Sequence, residues 1–202
     1  MEEKLSLLKK RYGNYKNMNT IGVECLATEI RKVVDETQKQ VPVPIATLLD
    51  RFGFRLYTEH FVEKGLYAII GHHDSLRTQY RHNKILKINE ELTRESQRQA
   101  MAVALAHYIM NYAEDDAYVY GCNDVSSQDE ILMGFATALL LPSNTFVADY
   151  RQFMAKTEDK EITRQLLRNR YEVTDEFVLF RAKNLGLNLN QNESEAEAET
   201  EK

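Results

Sequence analysis

Arg98-Gln-Ala-Met-Ala-Val-Ala-Leu-Ala-His-Tyr-Ile-Met-Asn-Tyr-Ala113 places apolar side chains on every face of a helical wheel. No Gly or Pro interrupts the run, and Ser96 with Gln99 three positions on forms a capping box ahead of it. A helix that is apolar all round belongs inside a protein, so the rest of the chain must be laid around this one. Its apolar stretch carries one imidazole, His107. By residue type alone, a lone histidine in such a setting reads as a hydrogen-bonded core group before it reads as a ligand.

Downstream, Ser126-Ser-Gln-Asp-Glu-Ile-Leu-Met-Gly-Phe-Ala-Thr-Ala-Leu-Leu-Leu-Pro142 reads as a second core helix with an acidic first turn. Its small residues Gly134, Ala136 and Ala138 would let it press closely on the first. Ser143-Asn144 caps a helix through about Met154, and Thr157 opens another through Arg168. A last helix starts at Thr174 and stops at Gly186. Upstream, Val41-Pro42-Val43-Pro44 is a stiff extended joint, because each proline fixes its own backbone and biases its predecessor. A short helix then ends at Gly53, and three strands follow, Phe54–Thr58, Leu66–Gly71 and Lys84–Asn89, in the order of an antiparallel meander. Residues 1–38 read as packing helices with a break at Gly13-Asn14.

These stretches, in this order, resemble the ImmA/IrrE family of zincin-like metallopeptidases. In the second helix Phe135, Ala136, Leu139, Leu140 and Pro142 fall in register with a family signature, and Val173, Thr174, Val178, Arg181 and Gly186 match the family's ending. The central helix matches the family's zinc helix, with His107 at the second histidine of His-Glu-x-x-His, Val103 at the first and Ala104 at the glutamate. The resemblance implies an α+β fold, a mainly helical zincin-like domain over residues 41–187 with a small antiparallel β-sheet; periodicity adds a helical extension over 1–40, and the glutamate-rich composition of 188–202 a disordered acidic tail. It also implies a bacterial or phage setting, commonly a mobile element, and a partner such as a helix-turn-helix repressor.

The motif works by geometry. Two histidines four apart share one helix face and one zinc ion, and the neighbouring glutamate takes a proton from the metal-bound water. Val103 cannot ligate and Ala104 cannot accept a proton. No His-Glu-x-x-His occurs elsewhere in the chain, so no shift of register restores it. In relatives a glutamate at the start of the second helix supplies a further ligand, and Asp129 or Glu130 stands nearest that place. The expectation is a pseudoenzyme that binds a regulatory protein, with no metal or cofactor. The alternative is an active zinc peptidase with an altered ligand set drawn from His107, Asp129 or Glu130 and an upstream histidine, His82 or His72. His72 and His73 are neighbours on a strand and point to opposite faces, so they cannot pair on one ion.

Composition bounds the remainder. Hydrophobic residues at 43% and charged residues at 28% are those of an ordinary globular chain, without a membrane-spanning run or an apolar signal core, which predicts a cytoplasmic protein. Net charge is −5, of which residues 193–202 contribute −4 through five Glu and one Lys, leaving −1 for the rest. Direct nucleic-acid binding is not expected from so neutral a body. Cys25 and Cys122 follow no metal or redox spacing and read as reduced packing residues.

Overall fold

The computed structural model describes residues 7, 8, 10, 11, 18–35, 37, 39–111, 118–123 and 130–189, the strand at 118–123 through its backbone. The expected break at Gly13-Asn14, the acidic run Glu114–Asp116, Asp129 and the tail from Asn190 lie outside these residues. Residues 7, 8, 10 and 11 are helical, and from Thr20 on the described elements are α1 (Thr20–Arg31), α2 (Ile45–Arg51), β1 (Arg55–Glu59), β2 (Leu66–His72), α3 (Leu76–Tyr80), β3 (Lys84–Asn89), α4 (Arg94–Asn111), β4 (Tyr118–Asn123), α5 (Glu130–Leu140), α6 (Ser143–Thr157), α7 (Lys160–Tyr171) and α8 (Asp175–Asn184). The fold is α+β and mainly helical, as the sequence leads one to expect.

Helix α1 is capped by Asn19, whose side chain accepts from the Gly22 N–H at 2.9 Å, and it buries Val23, Leu26, Ala27 and Ile30 at helical spacing. The Val41–Pro44 joint leads into α2, which buries Ile45, Leu48 and Leu49. Gly53 at φ +83° then turns the chain back, and the Phe54 N–H closes on the Leu49 carbonyl at 3.0 Å. That is a Schellman stop, which a side chain at Gly53 would strain.

The sheet departs from the expected meander. Its order is β1-β3-β2-β4; β3 pairs with β2 antiparallel but with β1 parallel, Arg55 opposite Ile85 and Glu59 opposite Asn89. The sheet is therefore mixed. The cause lies in the residues: β3 carries apolar side chains at both parities, Ile85, Leu86 and Ile88, and is buried along nearly its whole length. A strand of that kind gains most in the interior of the sheet. Strand β1, with Arg55, Thr58 and Glu59, suits an edge. The fourth strand, β4, joins antiparallel to β2 with His72 opposite Tyr118, and the sequence reading missed it.

Helix α4 lies across β2, β3 and β4, and α5 packs on α4 and on α1. Its start differs from the expected capping box. Thr93 Oγ1 accepts from the Ser96 N–H, while Gln99 is buried and donates to Thr174 Oγ1 at 2.6 Å, tying α4 to the head of α8. Arg98 adds two backbone ties, to the Val43 and Glu172 carbonyls at 2.9 and 3.1 Å. Helix α6 runs on to Thr157, which closes that helix instead of opening the next. Asp159 caps α7, its carboxylate accepting from the Ile162 N–H at 3.0 Å. Tyr171 at the end of α7 donates to the buried Asp149 carboxylate of α6 at 2.8 Å, and Arg170 pairs with the same oxygen. Helix α8 stops as expected at Gly186, φ +67°, with the Leu187 N–H on the Ala182 carbonyl. Cys25 is exposed, so it is not the packing residue its type suggested.

Candidate functional site

The helix that organises the sequence also organises the core. Residues 102–110 of α4 are buried without a gap, and the three motif positions lie within that span: Val103 is 1% exposed, Ala104 0% and His107 4%. Val103 and Ala104 are core packing residues, contiguous with Leu105, Ile109, Phe135 and Leu139. The His107 ring is sealed by protein.

Of the upstream histidines, the one that reaches α4 is His72. Its Nδ1 meets the Tyr108 hydroxyl at 3.0 Å, with the two rings edge to face at 5.9 Å. Tyr108 is itself set edge-on against Phe54 at 4.8 Å. Strand alternation separates the neighbours as expected: His72 turns toward α4, while His73 is exposed and pairs with Ser75 Oγ at 2.6 Å. His60 pairs with Glu91 on the surface, and His82 is exposed. The Tyr108–His72 contact went unread in the sequence, because nothing in either residue's spacing announces which helical position faces the end of β2.

The acidic candidates lie elsewhere. Asp129 is outside the described residues. Glu130 is exposed in the first turn of α5 and lines a cavity bounded by α1, α5 and α8, to which α4 contributes no side chain. Gly134, expected to ease α4 and α5 together, faces α1: a Cβ there would lie 3.8 Å from Val23 Cγ1.

Zinc chemistry at this place would require three protein ligands and a position open to water. Helix α4 offers one imidazole, beside a valine and an alanine packed into the core. Among the described residues no group of three His, Cys, Asp or Glu side chains is arranged to hold a metal ion. The described donor set on α4, one imidazole beside two apolar side chains, falls short of the three ligands that a catalytic zinc requires.

A second polar constellation was invisible in the sequence. Arg31 of α1 and Arg181 of α8 are both buried, at 4% and 2% exposure, and both donate to carbonyls at the end of α5: Arg31 to Ala138, Arg181 Nε to Leu141 at 2.9 Å. Glu24 pairs with Arg181. Burial pushes the Arg31 guanidinium down to about 10; the Glu24 charge opposes that shift, and the Arg181 charge adds to it.

Among the described residues no single helix is long and apolar enough to cross a membrane. The structure is similar to a Mycobacterium tuberculosis transcriptional regulator, at 17% identity and a TM-score of 0.49, over 88% of this chain and 51% of that one. The chain thus spans about half the length of that regulator. No curated protein sequence matches it. The IrrE N-terminal-like domain, a peptidase family, matches residues 50–183, from the end of α2 through α8, and the chain therefore belongs to that family.

Proposed function

We propose that this chain is a catalytically silent member of its family that works by binding a regulatory protein, such as a helix-turn-helix repressor, in the cytoplasm of a host carrying a phage or other mobile element. The observation that carries this reading is the burial of Val103 and Ala104. Where the family's chemistry asks for a metal ligand and a base, this chain has two apolar side chains fully enclosed in its core. Such positions stabilise the fold and leave a catalytic water without an activating group. What remains of a peptidase is a shaped surface, including the edge of β4 beside α4, which pairs with no further strand among the described residues and along which an extended segment of a partner would add as a further strand.

The test uses the purified chain, zinc and a repressor encoded beside it. Expected are a stable complex by size-exclusion chromatography, a repressor of unchanged intact mass, and no stoichiometric zinc by elemental analysis. Chelator-sensitive cleavage of the repressor, with one bound zinc that a His107→Ala variant loses, would overturn the reading and establish the altered-ligand peptidase instead.

A further inference from the structure

The outer edge of β1 pairs with no strand among the described residues, since the sheet ends there in the order β1-β3-β2-β4. Successive residues of a strand turn their N–H and C=O groups to opposite sides, and the Glu59 carbonyl accepts from the Glu90 N–H on the β3 side at 3.0 Å. Arg55, Tyr57 and Glu59 are therefore bonded toward β3, and the N–H and C=O groups of Leu56 and Thr58 point outward. Thr58 is exposed, and neither residue has a backbone partner on that side among the described residues. The side chains add a pattern of sign. Arg55 and Glu59 stand at the two ends of β1 on one face of the sheet. Arg55 is exposed and makes no ion pair among the described residues, while Glu59 holds Lys87 through Oε2 at 2.9 Å, which leaves its Oε1 to accept. Charges on an edge strand ordinarily keep other strands away. Here opposite signs at opposite ends make one approach attractive: a like strand running parallel in register meets Arg55 with Arg55, whereas one running antiparallel meets Arg55 with Glu59.

We propose that β1 is a self-association edge, on which the β1 of a second copy adds antiparallel about a twofold axis at Tyr57. In that register Leu56 of each chain exchanges N–H···O=C bonds in both directions with Thr58 of the other, which uses the four outward backbone groups of each strand. Arg55 then lies across from Glu59 in a pair without mutual hydrogen bonds, the kind in which Cα atoms approach to about 4.5 Å and side chains come closest. Tyr57 meets its own copy on the same face, an aromatic cross-strand pair. Sliding the second copy either way separates both Arg55–Glu59 pairs. Two copies so joined form one continuous sheet with β4 at each end, so the association does not rest on the role proposed above for the β4 edge and leaves that edge open. The seam is five residues long, short of a standard stable interface, so the dimer belongs in the micromolar range or weaker.

Sedimentation velocity on the full chain, from about 10 μM to about 1 mM, should show a reversible monomer–dimer equilibrium. Over the same range hydrogen exchange at the Leu56 and Thr58 amides should slow as concentration rises, with the Tyr57 amide, already bonded within the sheet, as the internal control. Arg55→Glu and Glu59→Arg each oppose like charges across the seam and should weaken the dimer by about tenfold or more. An equimolar mixture of the two variants should recover it, because the mixed pair restores opposite charges at both ends. Thr58→Pro removes an outward N–H and takes no bond from the β3 ladder, so it should be folded and monomeric. A chain that stays monomeric throughout, a dimer that Thr58→Pro or either charge reversal leaves unchanged, or folded reversal variants that fail to recover in the mixture would overturn the proposal. The exchange profile of the unaltered chain decides the matter alone should the variants fail to fold.

Discussion

Ala104 has no exposed surface and sits between two layers of core side chains, so the space a glutamate would need there is already filled. Placing a carboxylate there through Ala104→Glu should therefore destabilise the chain by on the order of 3–5 kcal/mol, the cost of an uncompensated buried charge together with overpacking. A denaturant titration measures it; a variant as stable as the parent would mean that the helix still leaves room for a catalytic group. Asp35 gives a prediction of a different kind. Its carboxylate accepts from the Thr37 hydroxyl at 2.6 Å, the Thr37 N–H at 2.9 Å and the Gln40 N–H at 2.7 Å, closing the turn after α1. These bonds, the hydroxyl first, hold it down to about 2 from an ordinary 3.8. A depressed carboxylate stabilises the fold above its unfolded value, and that contribution disappears as pH falls from about 3.8 to about 2. A carboxyl NMR titration should show the low midpoint, and Thr37→Val should move it back toward the ordinary value. At this scale the sequence was only partly legible. Val103 and Ala104 could be read there as apolar residues at the places where the resemblance expects a ligand and a base, but the burial of Arg31 and Arg181 could not, since a basic residue in a last helical turn looks the same whether it meets water or another helix's carbonyls.

Helices were more readable than strands, for a physical reason. Helices α4, α5 and α8 carry their own periodicity, and Gly53 and Gly186 mark stops that need a positive φ. Sheet order is set by which strands profit from burial on both faces, which depends on the helices that later cover them. That is why β3 was expected at an edge of a meander and stands between β1 and β2. Strand β4 was hidden by the acidic residues just before it. Capping was legible in kind and displaced in place, Thr93 for Ser96 and Asp159 for Thr157, because several Ser, Thr and Asp residues compete at each helix start and packing decides among them. Three of the described helices, α3, α6 and α7, end on a non-glycine residue at positive φ: Arg81, Glu158 and Glu172. Glu158 closes α6 at φ +54° and is exposed, whereas Glu172, in the same conformation at φ +51°, pairs with Arg94 and Arg98. Glu158→Gly should therefore stabilise the chain by about 0.5–1 kcal/mol through relief of the left-handed backbone. The same change at Glu172 should not, since it removes ion pairs as well. Paired melting curves distinguish the two sites.

The family match begins at Asp50, yet the core does not. Helix α1 precedes it and inserts Val23, Leu26, Ala27 and Ile30 into the one cluster that also holds Val103, Phe135 and Phe177. Its Arg31 reaches the Ala138 carbonyl and its Glu24 reaches Arg181, so α1 closes the far side of α5 by packing and by charge. Removing residues 1–40 would expose the α5 face that Gly134 keeps flat for Val23, and would strip Arg181 of its carboxylate. Three large aliphatic side chains at about 1.5–3 kcal/mol each lose on the order of 5–9 kcal/mol of burial. A buried arginine without its partner costs several kcal/mol more. The sum is comparable with the roughly 5–15 kcal/mol of net stability in a whole domain. The fragment 41–187 should therefore lack a cooperative thermal transition, while the full chain should show one, by calorimetry and circular dichroism under the same conditions. Adding a peptide of residues 18–35 in excess should restore part of the transition. A fragment that melts cooperatively alone would show that the family-matched region carries its own core and that α1 is an accessory to it.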